Sequence, residues 1–450
     1  MEILADLVDA DWSRLPESSR ESVRFAFADF FAVSLAGVAD RPYRILADYL
    51  RRTGAGPIPL PGGSGLTTRH AAIGWGALAH GRDYDDVSEV LHGHPSAVLI
   101  PAVLALGHQE RASGAELADA YLSGYEVIGR IGACAADEQR GRGWHTTATI
   151  GVLGATIAAA RLLRLTRAQA RHALGIATSL ASGVQANFGS MTKPLHAGWA
   201  AGNGVLAAEL AAAGFEAGTH ALTSDASYLQ VFGGTWPPPR TDRPYIDAGI
   251  RFKPYPCCGS ATGLVDCAVR LHPSIAAQIP AITAITCTIS AQTSRTLRFP
   301  SPVTGDEARF SPEFCVAQAL TTGELTERCF REESPARLSA LAPLMRKVTR
   351  DVLDEATLPS NAKDVRLTVT LSDGREMTAS STAPKGHPRD PMSRTELRAK
   401  FEECTRGVLT PDAGDTLFSR LCRIDQEPSA ADLLNDVLSA VDDGTGHSAS

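Results

Sequence analysis

The stretch from Gly76 to Pro101, GALAHGRDYDDVSEVLHGHPSAVLIP, indicates how the first half of the chain folds and where its chemistry lies. Apolar, helix-like sequence lies on both sides of a polar segment, a pattern that predicts buried helices next to a charged connection. That segment holds three histidines and three aspartates: His80, His92, His94, Asp83, Asp85 and Asp86. Burial and like-charge crowding shift pKa values, and such shifts concentrate at functional sites. We therefore expect an acid–base site here.

Local spacing within this stretch suggests how the site is built. His80 and Asp83 are three residues apart, so on a helix their side chains share one face. The residue before a proline is disfavoured in the α region, so the His94-Pro95 step is expected to end the helix. A solvated loop and a divalent-metal site are the alternatives. The metal site is the less favoured one, because the chain contains neither HExxH nor CxxC.

Length and composition limit the class of protein. A chain of 450 residues exceeds the size of one hydrophobic core, so two domains are expected. A net charge of −7 and a pI near 6.0 argue against a general nucleic-acid binder. The nine scattered cysteines and an N-terminus without a secretory pattern indicate reduced thiols and a cytoplasmic protein. No membrane association is expected, since the apolar stretches at 25–37 and 150–163 are poor candidates for bilayer spans.

The periodicity of apolar residues changes near residue 252. Before it, helices are predicted at 19–35, 114–132, 150–163, 167–182 and 198–213. After it, strand is predicted at 281–298, a hairpin around Ser-Asp-Gly at 365–380, and helices at 314–322 and 335–342. A capping box at Ser393 and Glu396 then starts a further helix.

This pattern predicts a mainly α fold. A helical main domain comprises residues 1–254 and 396–443, and a smaller α+β domain comprises residues 255–395. Residues 444–450 are expected to be disordered.

Three further segments place ionisable residues beside glycine and apolar sequence. GRGWHTTATIGVLGA (141–155) puts His145 ahead of a helix, where it is either a capping or core residue or a catalytic one. GSMTKPLHAG (189–198) puts Lys193 in a turn that could hold a carboxylate or phosphate, although the spacing is not that of a P-loop. RFKPYPCCGS (251–260) fixes Lys253 before two prolines, as an anion contact or a solvated lysine.

Together these segments resemble the MmgE/PrpD family. The resemblance begins in RFAFADFFAVSLAG (24–37) and continues through HGRDYDDVSEVLHGHPSAVLIPAVLALG, GYEVIGRIG (124–132), GWHTTATIGVLGAT, GSMTKPLHAGWAAGNGVLAAELAAAGF and FKPYPCC. It ends with KGHPRDPMSRTELRAKF (385–401) and so covers nearly the whole chain. The family includes 2-methylcitrate dehydratases, cis-aconitate decarboxylases and an iminodisuccinate epimerase.

The resemblance implies a helical domain, a smaller α+β lid domain and a homodimer. It implies an active site in the cleft between the domains that needs no metal and no organic cofactor. Carried over by position, the active-site aspartate is Asp83, the histidines are His94 and His145, and the lysines are Lys193 and Lys253. Two positions depart from the family pattern. Phe314 stands where a tyrosine is common, and Thr262 where a histidine is often found, which favours a specialised or smaller substrate.

The family reactions share carbanion character at a carbon next to a carboxylate. Lysines stabilise that charge, while histidines move the proton. We therefore predict Lys193 and Lys253 as carboxylate ligands and His80 as a further substrate-binding residue. His94 and His145 are predicted as general base and acid in either order. Asp83 either orients a histidine or serves as the acid.

The predicted function is that of a lyase acting on a small polycarboxylic acid, with 2-methylcitrate-like dehydration preferred. The alternatives are cis-aconitate-type decarboxylation, epimerisation of an amino- or imino-dicarboxylate, and an inactive binding or scaffold homologue.

Overall fold

Helices form most of the chain, as predicted, and a small mixed sheet lies in its second half. The computed structural model describes residues 2–6, 11–218, 220–239, 241, 243–331, 334–353 and 364–446. Its helices are α1 (Glu2–Ala5), α2 (Glu17–Ala36), α3 (Arg41–Thr53), α4 (Thr68–Ala79), α5 (Ser96–Glu110), α6 (Gly114–Gly141), α7 (Thr146–Thr149), α8 (Gly151–Leu162), α9 (Arg167–Leu180), α10 (Thr192–Ala212), α11 (Tyr228–Phe232), α12 (Thr262–Ile275), α13 (Ala291–Thr296), α14 (Gly305–Ala308), α15 (Pro312–Thr322), α16 (Ser334–Met345), α17 (Arg394–Thr405), α18 (Pro411–Leu421) and α19 (Ala430–Gly446). Its strands are β1 (Ala55–Leu60), β2 (Gly63–Leu66), β3 (Ile282–Ser290), β4 (Val348–Leu353), β5 (Val365–Leu371) and β6 (Glu376–Ser381).

Polar caps start several of these helices where the sequence predicts them. Ser113, Thr166 and Ser393 each accept a hydrogen bond from the backbone N–H three residues later. In each case the side chain of the Glu or Gln at that later position accepts a hydrogen bond from the backbone N–H of the cap residue, which completes a capping box. These caps satisfy N–H groups that have no partner within the helix, so they fix where each helix begins.

Three local predictions are wrong. The strand predicted to continue to residue 298 ends at Ser290, whose hydroxyl accepts from the N–H of Thr293 and starts α13. The first half is not entirely helical, because β1 and β2 form an antiparallel hairpin. Helix α10 begins six residues before the predicted Gly198. Pro194 lies in its first turn, where a proline costs no helical hydrogen bond.

The crossing of α4 and α10 brings two predicted site residues together. Gly198 of α10 lies against the carbonyl of Ile73, and a Cβ on Gly76 of α4 would lie 2.7 Å from the Cα of Gly198. Only glycine permits so close an approach of two backbones. The contact fixes how far one helix slides along the other, and it leaves His80, just after α4, facing Lys193 at the start of α10.

The four-stranded sheet has the order β4-β3-β5-β6. Strand β3 pairs in parallel with β4 and antiparallel with β5, and β5 and β6 form the predicted hairpin. Alternate residues of β5, from Val365 to Leu371, are buried, and α12 packs against this sheet. The period of two thus places one face of the sheet in the core.

Buried apolar side chains form two separate cores. One contains residues between Leu4 and Phe252 together with Met392 to Val441, and the other contains residues between Cys257 and Leu371. Helix α17 returns to pack on α2. These cores support our proposal that residues 1–254 and 396–443 form one domain and residues 255–395 the other.

The described part of the chain ends in α19, which extends to Gly446, three residues into the segment predicted to be disordered. Residues 447–450 lie outside the described part of the chain. Among the described residues no single helix has the length and apolarity to cross a membrane, although α2 and α3, bent by 95°, match a span when taken together.

Candidate active site

The polar segment between α4 and α5 forms a buried turn. Helix α4 ends at Ala79, and Asp83 adopts a left-handed conformation with φ of 52°. The prediction that His80 and Asp83 share a helical face is therefore wrong, because the helix stops before both. Pro95 starts α5 rather than ending a helix. The turn lets side chains close in sequence point to one cluster.

Asp83 lies between two buried lysines. Its Oδ2 accepts a hydrogen bond of 2.7 Å from Lys193 Nζ, and its Oδ1 accepts one of 2.5 Å from Lys253 Nζ. Burial acts to raise the pKa of Asp83, but the two ammonium groups outweigh it and hold that pKa well below the usual value. Asp83 is therefore an ionised carboxylate that positions both lysines.

The two lysines differ in how many of their three N–H donors are already used by the protein. Lys253 Nζ donates to Oδ1 and to the backbone carbonyl of Asp83 and, at 3.4 Å, to the carbonyl of Cys257. An ammonium has three donors, so Lys253 is saturated by the protein. Lys193 Nζ contacts Asp83 and, at 2.9 Å, His80 Nε2. Among the described residues its third donor has no hydrogen-bond acceptor, and the rings of Phe188 and Phe310 lie 5.4 Å away.

His80 connects Lys193 to a second aspartate. An ammonium can only donate, so His80 Nε2 accepts and its proton lies on Nδ1, which donates to Asp85 Oδ2 at 2.8 Å. Burial lowers the pKa of His80 to about 3, despite the opposing effect of Asp85. Both ring nitrogens of this neutral imidazole are occupied, so His80 orients Lys193 in this geometry.

His94 is held in one tautomer by the backbone. Its Nδ1 lies 2.9 Å from the carbonyl of Asp86, which can only accept a hydrogen bond. Burial lowers the pKa of His94, so the ring is neutral and Nε2 carries a lone pair. That nitrogen lies 3.7 Å from Asp83 Oδ1, beside the lysines. His94 Nε2 is therefore a proton acceptor.

His145 directly precedes the short helix α7 without a capping hydrogen bond from its side chain, and its ring stacks on His80 with centroids 5.6 Å apart. Its Nδ1 lies 3.1 Å from Nδ1 of His196, so one of these two nitrogens donates to the other. Burial, then the charge of Lys193, lowers the pKa of His145 well below its usual value. The same two effects lower the pKa of His196 to about 4.

A second layer of buried polar groups supports the turn. The Asp86 carboxylate accepts from the hydroxyl and the N–H of Ser96, and burial raises the pKa of Asp86 to about 8. Lys400 of α17 forms an ion pair of 2.6 Å with Asp29 and donates at 2.8 Å to the carbonyl of Tyr84. These contacts fix the backbone on either side of Asp85.

All six predicted site residues thus lie in one cluster: Asp83, His80, His94, His145, Lys193 and Lys253. His92 of the same stretch points elsewhere and contacts Asp137 at 2.8 Å. Sequence analysis missed the contributions of Asp85, Asp86 and His196. His196 follows Lys193 by three residues, a helical spacing that becomes visible only when α10 is extended back to Thr192.

His80, Asp85 and His94 each offer one possible metal-ligand atom, and these three atoms lie within 4.8 Å of one another, a spacing that could hold a metal ion. Their distances and tautomers fit hydrogen bonds equally well, as described above. The ammonium of Lys193 lies 2.9 Å from His80 and would repel a cation there. Metal independence stays a prediction.

Two sequence models of known domains match the chain. The MmgE/PrpD N-terminal domain matches residues 2–240, and the MmgE/PrpD C-terminal domain matches residues 255–419. The chain belongs to the MmgE/PrpD family. The mainly α fold with a small α+β part agrees with this membership.

Several relatives within the MmgE/PrpD family are named cis-aconitate decarboxylase. The human protein is 29% identical over 367 residues, which cover 78% of this chain and 76% of that protein. The mouse protein is 27% identical, covering 79% and 75%, and one from Aspergillus terreus is 28% identical, covering 75% and 74%. The chain is an enzyme of the lyase class.

The two positions that depart from the MmgE/PrpD pattern are buried in the second core. Phe314 is inaccessible to solvent and packs edge-on against Phe330, with centroids 5.5 Å apart. Thr262 is also inaccessible, and within the described residues its hydroxyl has no hydrogen-bond partner. A larger polar group at either position would have to be accommodated within packed apolar side chains.

Proposed function

We propose that this enzyme decarboxylates a small unsaturated polycarboxylic acid resembling cis-aconitate. The observation that carries the proposal is the match to proteins named cis-aconitate decarboxylase over about three quarters of each chain. It favours the decarboxylase alternative over the dehydration preferred from sequence. The cluster of lysines and neutral histidines supports a reaction at a carbon next to a carboxylate.

Lys193 is the proposed contact for a substrate carboxylate. It is the lysine with a donor left over, whereas Lys253 anchors Asp83. We infer that His80 and Asp85 act on the substrate indirectly, by orienting the Lys193 ammonium. A carboxylate beside that ammonium would be stabilised in a site from which water is largely excluded.

Decarboxylation needs one proton. The carbon–carbon bond to the departing carboxylate breaks, CO₂ leaves, and the electron pair moves through the adjacent double bond to a carbon next to another carboxylate. That carbon then takes a proton, so a general acid is required. The carboxylate that remains would stay on Lys193 during this step.

His145 is the proposed proton donor. Unlike His80 and His94, it has no carboxylate within 4.0 Å in the described part of the chain. Its protonated form is therefore costly among these neighbours, and the negative charge of a bound polycarboxylate would raise its pKa. Binding of the substrate would in this way favour the protonated form of His145, which is the form that can donate the proton. His94 Nε2 would accept a hydrogen bond from the substrate.

Turnover of three substrates tests the proposal. Purified protein is incubated with cis-aconitate, 2-methylcitrate or iminodisuccinate, and CO₂, alkene and chiral products are measured. We expect CO₂ from cis-aconitate, with one deuterium in the product when the reaction runs in D₂O. His145→Gln should lower turnover by about 10²–10⁴-fold, while His220→Gln, a change at an exposed histidine, should leave it unchanged.

Other products would contradict the proposal. Faster loss of water from 2-methylcitrate would indicate a dehydratase, and inversion without CO₂ release would indicate an epimerase. Absence of turnover with all three acids would favour a binding or scaffold protein. A homodimer, a cytoplasmic location and catalysis without metal or organic cofactor stay predictions.

A further inference from the structure

A large cleft lies between the two proposed domains, apart from the histidine cluster. Its volume is about 1510 Å³, and its walls come from α3, from residues 303–309 and 327–331, from Arg337, and from the end of α17. Its lining includes Gly81, Arg82, Met191 and Thr192, which lie close in sequence to Asp83 and Lys193. Neither the cluster histidines nor the two cluster lysines are among the lining residues.

The lining is strongly basic although the protein is acidic. Nine arginines and three acidic residues line the cleft, so the remaining chain carries 34 basic and 47 acidic residues. The glutamates at 332 and 333 lie outside the described residues. Counting both of them would still leave the cleft with an excess of four positive charges. Such a local excess attracts anions.

Two of the three acidic residues of the cleft, Asp40 and Glu327, are paired with arginines. Arg82 forms two hydrogen bonds of 2.8 Å with Asp40 and an ion pair of 3.1 Å with Glu327. Glu327 is also paired at 3.1 Å with Arg309. Arg82, Arg309 and Glu327 are all buried, so this network joins the two domains and leaves little charge for a ligand.

The arginines at the rim of the cleft, unlike Arg82 and Arg309, are exposed. Six exposed arginines line this rim: Arg41, Arg44, Arg52, Arg328, Arg331 and Arg406. In the part of the chain that the structure describes, none of them has a carboxylate within ion-pair distance. Guanidinium groups bind phosphate and carboxylate oxygens in pairs of parallel hydrogen bonds. The rim therefore presents unused anion ligands from both domains.

Size and apolar surface narrow the class of ligand. Pockets for small molecules usually measure about 300–1,000 Å³, so this cleft is larger than a six-carbon acid requires. Ile45 and Tyr49, each more than half exposed, also line it. We propose that the cleft binds a phosphate-bearing organic anion of nucleotide size, with arginines of both domains on the phosphates and Tyr49 against the apolar part.

Binding of magnesium-free ATP to the full chain, measured by calorimetry at two salt concentrations, tests this. We expect saturable binding that weakens with salt. The double variant Arg41→Gln/Arg328→Gln should lose at least tenfold in affinity. Arg366→Gln, a change at an exposed arginine of β5 outside the cleft, should bind like the wild type. His145→Gln should also bind ATP normally, because the histidine cluster is not part of the site.

Two further measurements address the apolar contact and the folding of the variants. Tyr49→Ser should weaken the binding of ATP more than the binding of pyrophosphate. Pyrophosphate should also bind to the wild type more weakly than ATP does. Circular dichroism melting of the variants at Arg41, Arg328, Arg366 and Tyr49 should match the wild type, since these side chains are exposed. The proposal is overturned if no saturable binding occurs, if the double variant binds normally, or if His145→Gln abolishes binding. It is equally overturned if citrate binds as tightly as ATP at the same arginines.

Discussion

Replacing Asp83 by asparagine removes one negative charge between two buried ammonium groups and little else. Asparagine tolerates the left-handed conformation found here, so the backbone of the turn can persist. Its side chain has one oxygen, so either Lys193 or Lys253 faces an NH₂ group that cannot accept a hydrogen bond. Breaking a buried ion pair costs about 3–5 kcal/mol, because the remaining charge stays desolvated.

For a domain of this size that loss corresponds to a melting temperature about 5–10 °C lower. The matched control is Asp390→Asn, which removes an exposed pair with Lys385 at 3.3 Å. Exposed pairs contribute about 0–1 kcal/mol, so we expect a shift of at most about 2 °C there.

The dependence on pH adds a second measurement. The folded-state pKa of Asp83 lies well below its unfolded value, so its stabilisation is complete above about pH 4. It is lost as the pH falls through the folded pKa. The difference between wild type and Asp83→Asn should therefore stay constant from pH 5 to 7 and shrink only in stronger acid. Equal melting temperatures for Asp83→Asn and Asp390→Asn, measured by circular dichroism, would refute the role of Asp83 as the anchor of both lysines.

Four further outcomes are expected. His145→Gln should lower kcat by about 10²–10⁴-fold with little change in KM, whereas Lys193→Met should lower kcat and also raise KM. If both variants only raise KM, His145 is an anion ligand and not the proton donor. His196→Asn should reduce kcat and alter its pH profile, and ¹⁵N NMR should show a changed tautomer balance at His145; an unchanged spectrum would contradict positioning by His196. Substrate binding near pH 6.5 should take up protons, because the depressed pKa of the buried histidines rises beside a polyanion. Calorimetry in buffers of different ionisation enthalpy measures this uptake, and proton release would contradict it. Exhaustive chelation should leave turnover intact, and recovery of a lost activity by one divalent ion would contradict metal independence.

Local sequence accounts for much of the fold. Apolar residues at helical spacing predict the positions of α6 and α9, and the capping box at Ser393 predicts the start of α17. Alternation around Ser-Asp-Gly predicts the β5–β6 hairpin. These signals act over a few residues, so they can be read without knowing how distant segments pack. The same approach fails at residues 291–298, where the Ser290 cap converts a strand-like composition into a helix.

The candidate residues were also identified from the sequence, by their types and by family resemblance, but their individual roles depend on tertiary contacts. Lys193 and Lys253 look equivalent in the sequence, yet one retains a free donor and the other is saturated. That difference arises because Asp83, 110 and 170 positions away from them, turns into the left-handed region. The tautomers of His80 and His94 likewise follow from an ammonium and a carbonyl that folding brings to them. The sequence determined which ionisable side chains the site contains. The packing of α4 on α10 and the buried turn between α4 and α5 decided which of their donors and acceptors are left for a substrate. Burial is the physical reason, because a buried donor or acceptor has to find its partner within the protein.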